Sequence, residues 1–103
     1  MKLWYSNSSP YARKARAVVQ YHQLQDRVEL LLTTSGLDKN SPHNLDNPLG
    51  RLPALQRENG EWLYNSSLIA EYLDNIGTQP SLYGNKETRW EILRLHYLAD
   101  GIL

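Results

Sequence analysis

The chain has 103 residues, of which 41% are hydrophobic and 21% charged, and its 11 Lys+Arg are balanced by 11 Asp+Glu. This length supports one modest core, and this composition is that of a folded chain rather than a disordered one. Zero net charge excludes the broad cationic field that nonspecific nucleic-acid binding needs, and the longest apolar run, Leu30-Leu31-Leu32, is far too short to span a bilayer.

Met1 to Tyr5 gives way at once to polar residues, so no secretory signal is expected and a cytoplasmic location is the default. The sequence contains no cysteine, which excludes a disulfide framework, a zinc–thiolate site and a protein thiol nucleophile. His22, His43 and His96 show no ligand spacing, so no metal is expected. The sequons at Asn7 and Asn65 are read as chance matches in a chain without a secretory signal.

Lys2 to Ser6 predicts a short strand. Asn7-Ser8-Ser9-Pro10 breaks it, and Ser9 is placed to cap a helix that starts at Pro10, because Pro is favoured at the first helical position. The helix is expected to run to about Leu24, with Tyr11, Ala15, Val18, Val19 and His22 on one face. Arg27 to Thr33 reads as a strand buried on both faces, and two strands joined by such a helix form a parallel βαβ unit. Residues 35–49 read as a long loop with one turn of helix near Asn44 to Asp46.

Pro53 to Arg57 and Glu61 to Tyr64 flank Asn59-Gly60, the strongest short hairpin signal. Asn65-Ser66-Ser67 caps a further helix whose apolar face is Leu68, Ile69, Tyr72, Leu73 and Ile76, with Gly77 placed to end it. Gly77 to Asn85 reads as a linker. Lys86 to Leu103 predicts a last helix with Trp90, Leu93, Tyr97 and Leu98 on one stripe and no stop signal. A stripe without a partner suggests the front part of a longer protein with a helical second domain. The alternatives are a helix that packs back on the domain or pairs with another chain.

The turns are more specific than the element order. Ser9-Pro10-Tyr11-Ala12 resembles the Cys-Pro-Tyr-Cys turn of glutaredoxins with both cysteines replaced. Asn47-Pro48-Leu49-Gly50-Arg51-Leu52-Pro53-Ala54-Leu55 resembles the Asn-Pro-x-Gly-x-[Val/Leu]-Pro-x-Leu segment of glutathione transferases. Asn65-Ser66-Ser67-Leu68-Ile69-Ala70-Glu71-Tyr72-Leu73 resembles their [Asp/Glu]-Ser-x-x-Ile-x-x-Tyr-Leu helix. The resemblance covers Lys2 to about Ile76. It implies an α/β, thioredoxin-like βαβ-ββα domain with a mixed sheet, followed by the first helix of an all-α domain. The implied division is 1–78 as the glutathione-binding domain, 79–85 as linker and 86–103 as the first helix of an incomplete second domain.

The chemistry of the first turn fits this family. A helix N-terminus offers free N–H donors and partial positive charge, which lower the pKa of a thiol placed there. With no protein cysteine, the thiol comes from a ligand, and the resemblance implies glutathione as co-substrate. Ser9 O–H then donates to the glutathione sulfur; the bland reading is that Ser9 only caps the helix, and a hydroxyl can do both. Tyr5 is the rival for the sulfur contact, with Ser6 and Ser8 behind it. The resemblance implies a cis Leu52–Pro53 bond that turns the Leu52 backbone toward the cysteinyl part of the tripeptide. A trans proline opening a strand is the local alternative. Ser66 is implied to bind the γ-glutamyl carboxylate at a helix N-terminus, where a simple N-cap is an equally good local reading. Asn65 stands where the family usually has an acid, and a neutral amide can only accept a hydrogen bond from the γ-glutamyl ammonium. Lys39, His43 and Arg51 lie where the family often places a cation or polar group against the glycine carboxylate; each also reads as a solvated surface residue. Trp4, Trp62 and Trp90 read as core or interface.

The implied function is conjugation of the glutathione thiolate to a small electrophile by a homodimer, with no nucleic-acid or membrane partner. The alternative is a noncatalytic glutathione-binding or protein-interaction module of the same fold. Dithiol oxidoreductase chemistry is excluded by the absence of cysteine.

Overall fold

The structure is a computed structural model that describes residues 1–33 and 51–102. Its elements are β1 (Lys2–Tyr5), α1 (Pro10–Tyr21), β2 (Glu29–Leu32), β3 (Ala54–Gln56), β4 (Trp62–Tyr64), α2 (Ser66–Asn75) and α3 (Arg89–Ile102). The four strands form one mixed sheet in the order β2-β1-β3-β4, with β1 and β2 parallel and the other two pairings antiparallel. This is the thioredoxin-like arrangement that the resemblance implied.

Leu3, Leu55 and Leu63 share one register row, so their side chains emerge on the same face of the sheet. There they meet Ala15, Val18 and Val19 of α1 and Ile69, Ala70 and Leu73 of α2. Each large side chain buried this way is worth about 1.5–3 kcal/mol. Hairpin formation follows from Asn59-Gly60 as expected: Gly60 takes φ 90°, and Arg57 N–H closes on the Glu61 carbonyl at 2.8 Å.

Several expectations need correction. Strand β2 is not buried on both faces, since Leu30 and Leu32 are 44% and 53% exposed. The reason is its place at the sheet edge, while α1 and α2 pack over β1, β3 and β4. Helix α1 stops at Tyr21 rather than near Leu24. Gln23 adopts φ 55°, its N–H bonds the Gln20 carbonyl, and Leu24 N–H bonds the Val19 carbonyl. That is a Schellman ending with Gln in the left-handed position where glycine is usual, so no sequence signal marked it. On α2, Leu68 lies outside the core at 52% exposure, and the inward face is Ser66, Ser67, Ile69, Ala70, Leu73 and Asp74. The helical turn expected near Asn44 to Asp46 lies outside the described residues.

Gly77 follows the C-cap Ile76 as expected, yet it does not serve by adopting a left-handed backbone. It is needed for space, because a methyl group at this position would overlap the His22 ring. His22 is fully buried at the end of α1. Its Nδ1 accepts from the Gln79 amide at 3.1 Å, so the proton sits on Nε2, which donates to Asp74 Oδ1 at 2.8 Å. Asp74 also accepts from the Leu82 amide at 2.7 Å and the Ser81 hydroxyl at 2.6 Å. Thr78 Oγ1 donates to the His22 carbonyl at 2.7 Å. Residues 77–83 are thus fastened across the joint between α1 and α2 rather than left as a slack connection.

Burial pushes the Asp74 carboxyl up, but the Leu82 amide, the Ser81 hydroxyl and His22 together hold it below the ordinary carboxylate range. A group whose folded pKa is depressed stabilises the fold above its unfolded pKa and loses that contribution as pH falls through the folded value. Stability is therefore expected to decline on acidification below about pH 4, and Asp74→Asn to flatten that decline. Urea unfolding free energies measured against pH for both chains check this; parallel slopes would refute it.

Helix α3 does not pack back on the domain by its apolar stripe, so the alternative of a stripe covered by this domain is not what the structure shows. Leu93 is buried, but Trp90, Tyr97 and Leu98 are 76%, 54% and 61% exposed. The inward side instead carries Arg89, His96 and Asp100, which pair with α1 and α2. On this side α3 presents an opposite charge to Lys14 of α1 and to Glu71 of α2. No helix among the described residues is long and apolar enough to cross a membrane.

Candidate functional site

Register brings the candidate segments together. Trp4 pairs with Ala54, and Ala54 with Tyr64, so one row crosses the sheet at a common end. The turn after β1 leads to Ser9, the peptide before β3 contains Leu52 and Pro53, and the residue after β4 is Asn65. Ser9, Leu52, Asn65 and Ser66 therefore lie along one edge of the sheet made by strand ends, the end of β1 and β4 and the start of β3, and not along an outer strand. The N-termini of α1 and α2 both start from that edge, giving two anion-favouring helix ends side by side.

Ser9 caps α1 from an extended backbone, with its Oγ accepting from the Ala12 amide at 3.1 Å. That bond uses a lone pair and leaves the hydroxyl proton to donate. Tyr5 lies at the end of β1, and the Arg16 guanidinium covers its ring at 4.4 Å. The Leu52–Pro53 bond is cis, Pro53 is buried, and Leu52 is half-buried. Arg51 is exposed. Lys39 and His43 lie outside the described residues.

The cap of α2 is Asn65, not Ser66. Asn65 Oδ1 accepts from the Ser67 amide at 2.8 Å, while its backbone holds φ 75° and ψ 121°. A non-glycine residue in that region costs on the order of 1–3 kcal/mol, and such residues concentrate at binding sites. With the cap supplied by Asn65, Ser66 stands at the first helical position with its hydroxyl and amide both uncommitted to the helix. This removes the simple N-cap reading of Ser66.

One group of residues beside this edge was not marked by sequence reasoning. Asp100, in the last turn of α3, accepts from Lys14 Nζ at 2.8 and 3.0 Å and from Ser67 Oγ at 2.7 Å. Tyr11 O–H donates to the Asp100 carbonyl at 3.1 Å, and Lys14 also reaches His96 Nε2 at 2.9 Å. Burial pushes Asp100 up, but its bonds from Lys14 and Ser67 hold it below the ordinary range; burial, then the Lys14 charge, pulls His96 down. A neutral His96 is thus an acceptor for the Lys14 ammonium. The only sequence trace of this cluster was the i, i+4 spacing of His96 and Asp100, and that spacing does not indicate partners more than thirty residues away. No cluster of three or more metal-ligating side chains occurs among the described residues.

Comparison with known proteins gives this geometry a lineage. The profile of the family described as glutathione S-transferase, N-terminal domain, matches residues 8–76. The chain is 30% identical to the uncharacterized GST-like protein YibF of Escherichia coli (strain K12), with all of this chain and 50% of the relative covered. It is 32% identical to maleylacetoacetate isomerase of Pseudomonas aeruginosa, over 86% of this chain and 43% of that protein. A crystal structure of a glutathione transferase family member from Pseudomonas fluorescens Pf-5 with bound glutathione superposes with a TM-score of 0.85 at 36% identity, covering 98% of this chain and 50% of the other. The chain spans about half the length of these relatives. With the cis Leu52–Pro53 segment and the Ser66 helix inside the matched residues, the chain belongs to the glutathione S-transferase family.

Proposed function

We propose that the chain binds glutathione along the shared sheet edge and that the whole protein conjugates its thiolate to a small, soft electrophile. The observation that supports this most is the pairing of two open helix N-termini, one with a hydroxyl proton free at Ser9 and one with Ser66 relieved of capping by Asn65. Ser9 donates to the sulfur and holds it as thiolate; Tyr5 is the rival donor. Ser66 takes the γ-glutamyl carboxylate, Leu52 and Pro53 align the cysteinyl backbone as an added strand, and Asn65 accepts from the γ-glutamyl ammonium. Lys39, His43 or Arg51 serves the glycine carboxylate. The thiol proton leaves to solvent, and the thiolate attacks an electrophilic carbon. As the carbon–sulfur bond forms, either a leaving group departs with its bonding pair or a π pair shifts to the neighbouring atom, which then takes a proton from solvent. In this reading residues 1–78 are the glutathione-binding domain, 79–85 the linker and 86–103 the first helix of an all-α domain. The working form is a cytoplasmic homodimer.

Calorimetric titration of the chain with glutathione tests the binding step. Wild type is expected to bind, and Ser66→Ala to weaken binding about 10- to 100-fold, since a hydrogen bond to a charged group is worth about 1.5–3 kcal/mol. Equal affinities would remove Ser66 from the site. The noncatalytic reading draws on the neutral Asn65, and it prevails if the whole protein binds glutathione without turning over any electrophile.

A further inference from the structure

We infer that Asp100 is a positioning residue for glutathione, setting the register of the α1 N-terminus against the α2 N-terminus. The inference rests on the glutathione reading above. One residue in the last turn of α3 is bonded to the first turns of both site helices. Its side chain takes Ser67 Oγ at 2.7 Å, one position beyond Ser66. Its backbone carbonyl takes Tyr11 O–H at 3.1 Å, two positions beyond Ser9. Lys14, one turn further along α1, completes the bridge at 2.8 Å.

The apolar contact between α1 and α2 is joined at the helix starts by polar bonds. Close packing of Ala15 and Val18 with Ile69 and Leu73 holds the bodies of the helices together. Directional bonds at the helix starts supply the axial register. They are stronger than surface bonds, because the Asp100 and Lys14 side chains are only 17% and 22% exposed and the pair is charge-assisted. Lys14 is steadied by His96 on the same helix as Asp100, so the ammonium is shared between two acceptors of α3. Arg89 pairs with Glu71, midway along α2. A tripeptide anchored at Ser9 and at Ser66 spans both helix ends, and misplacement by even 1 Å at one end is costly.

The test compares wild type, Asp100→Ala and Asp100→Asn in the full chain, using glutathione and the shorter cysteinylglycine, which lacks the γ-glutamyl end. Asp100→Ala is expected to lose glutathione affinity about tenfold and to leave cysteinylglycine affinity, read from NMR shift titrations, unchanged. Asp100→Asn, which keeps an acceptor but no charge, is expected to fall between the two and reads the effect if the alanine variant does not fold. Amide exchange at Ser67 and Ile69 is expected to quicken in both variants. Glutathione affinity within twofold of wild type in a folded Asp100 variant would overturn the inference and leave the site intact. Equal losses for both ligands would reduce Asp100 to a general structural role and overturn it too. Absence of glutathione binding by wild type would overturn the site reading and the inference with it; a change in exchange at Ser67 would then report only the bridge between helices.

Discussion

Replacing Ser9 with alanine in the whole protein is expected to lower turnover of glutathione with a soft electrophile about 10- to 100-fold, while glutathione affinity changes little. In the proposed reading the hydroxyl proton, unused by the cap, stabilises the thiolate, and a hydrogen bond to a charged partner is worth about 1.5–3 kcal/mol. The same substitution removes the acceptor for the Ala12 amide, a loss of about 1 kcal/mol in stability. Ser9→Gly separates the two effects, because glycine at an N-cap costs only a few tenths of a kcal/mol yet also lacks the donor. Both variants are expected to lose turnover equally, and only the alanine variant to melt noticeably lower. Steady-state rates with either glutathione or electrophile varied, together with the ultraviolet absorbance of bound thiolate against pH, measure this. Full turnover in both variants would move the role to Tyr5, and Tyr5→Phe would then be the damaging change.

Gly77→Ala is expected to destabilise the chain by about 3 kcal/mol, without touching the site edge. The methyl group overlaps the His22 ring, and that ring has nowhere to retreat: both nitrogens are bonded and its side chain is fully buried. Moving it would strip a donor from Asp74 as well, leaving a buried carboxylate short of partners. A domain of this size loses about 4–8 °C of melting temperature per kcal/mol, so a fall on the order of 15 °C is expected. Adding Gly77→Ala to His22→Ala is expected to cost far less than adding it to wild type, because the ring that causes the overlap is gone. A double-mutant cycle by calorimetric melting measures that coupling. Additive losses would show that Gly77 acts through its backbone rather than through His22.

The glycine illustrates a wider pattern. Position 77 was legible as a helix ending, since chain punctuation is a local signal. The reason for glycine was not, because it depends on a ring 55 residues away in the chain. Asn65 behaves in the same way. A run of Asn-Ser-Ser announces a helix start but does not say which of the three caps it. The β4 strand delivers the chain at an angle that Asn65 meets with φ 75°, and this choice leaves Ser66 open. The α3 stripe was visible by period, but its pairing with Lys14 and Glu71 on other elements was not.

Local order and type were therefore set by the chain itself. Strand β1, the Ser9 cap with Pro10, the Asn59-Gly60 hairpin and the three helices each follow from side-chain chemistry within a few residues. The family motifs carried the cis Leu52–Pro53 bond, because those motifs pack several local requirements into a short span. Tertiary structure alone decided what depends on neighbours distant in sequence. The edge position exposes β2, the ring of His22 excludes a side chain at Gly77, and sheet register draws Ser9, Leu52 and Ser66 to one edge. Asp100 joins two helix starts for the same reason. Hydrogen bonds and steric exclusion act over a few ångströms in space whatever the separation along the chain, and periodicity records none of them.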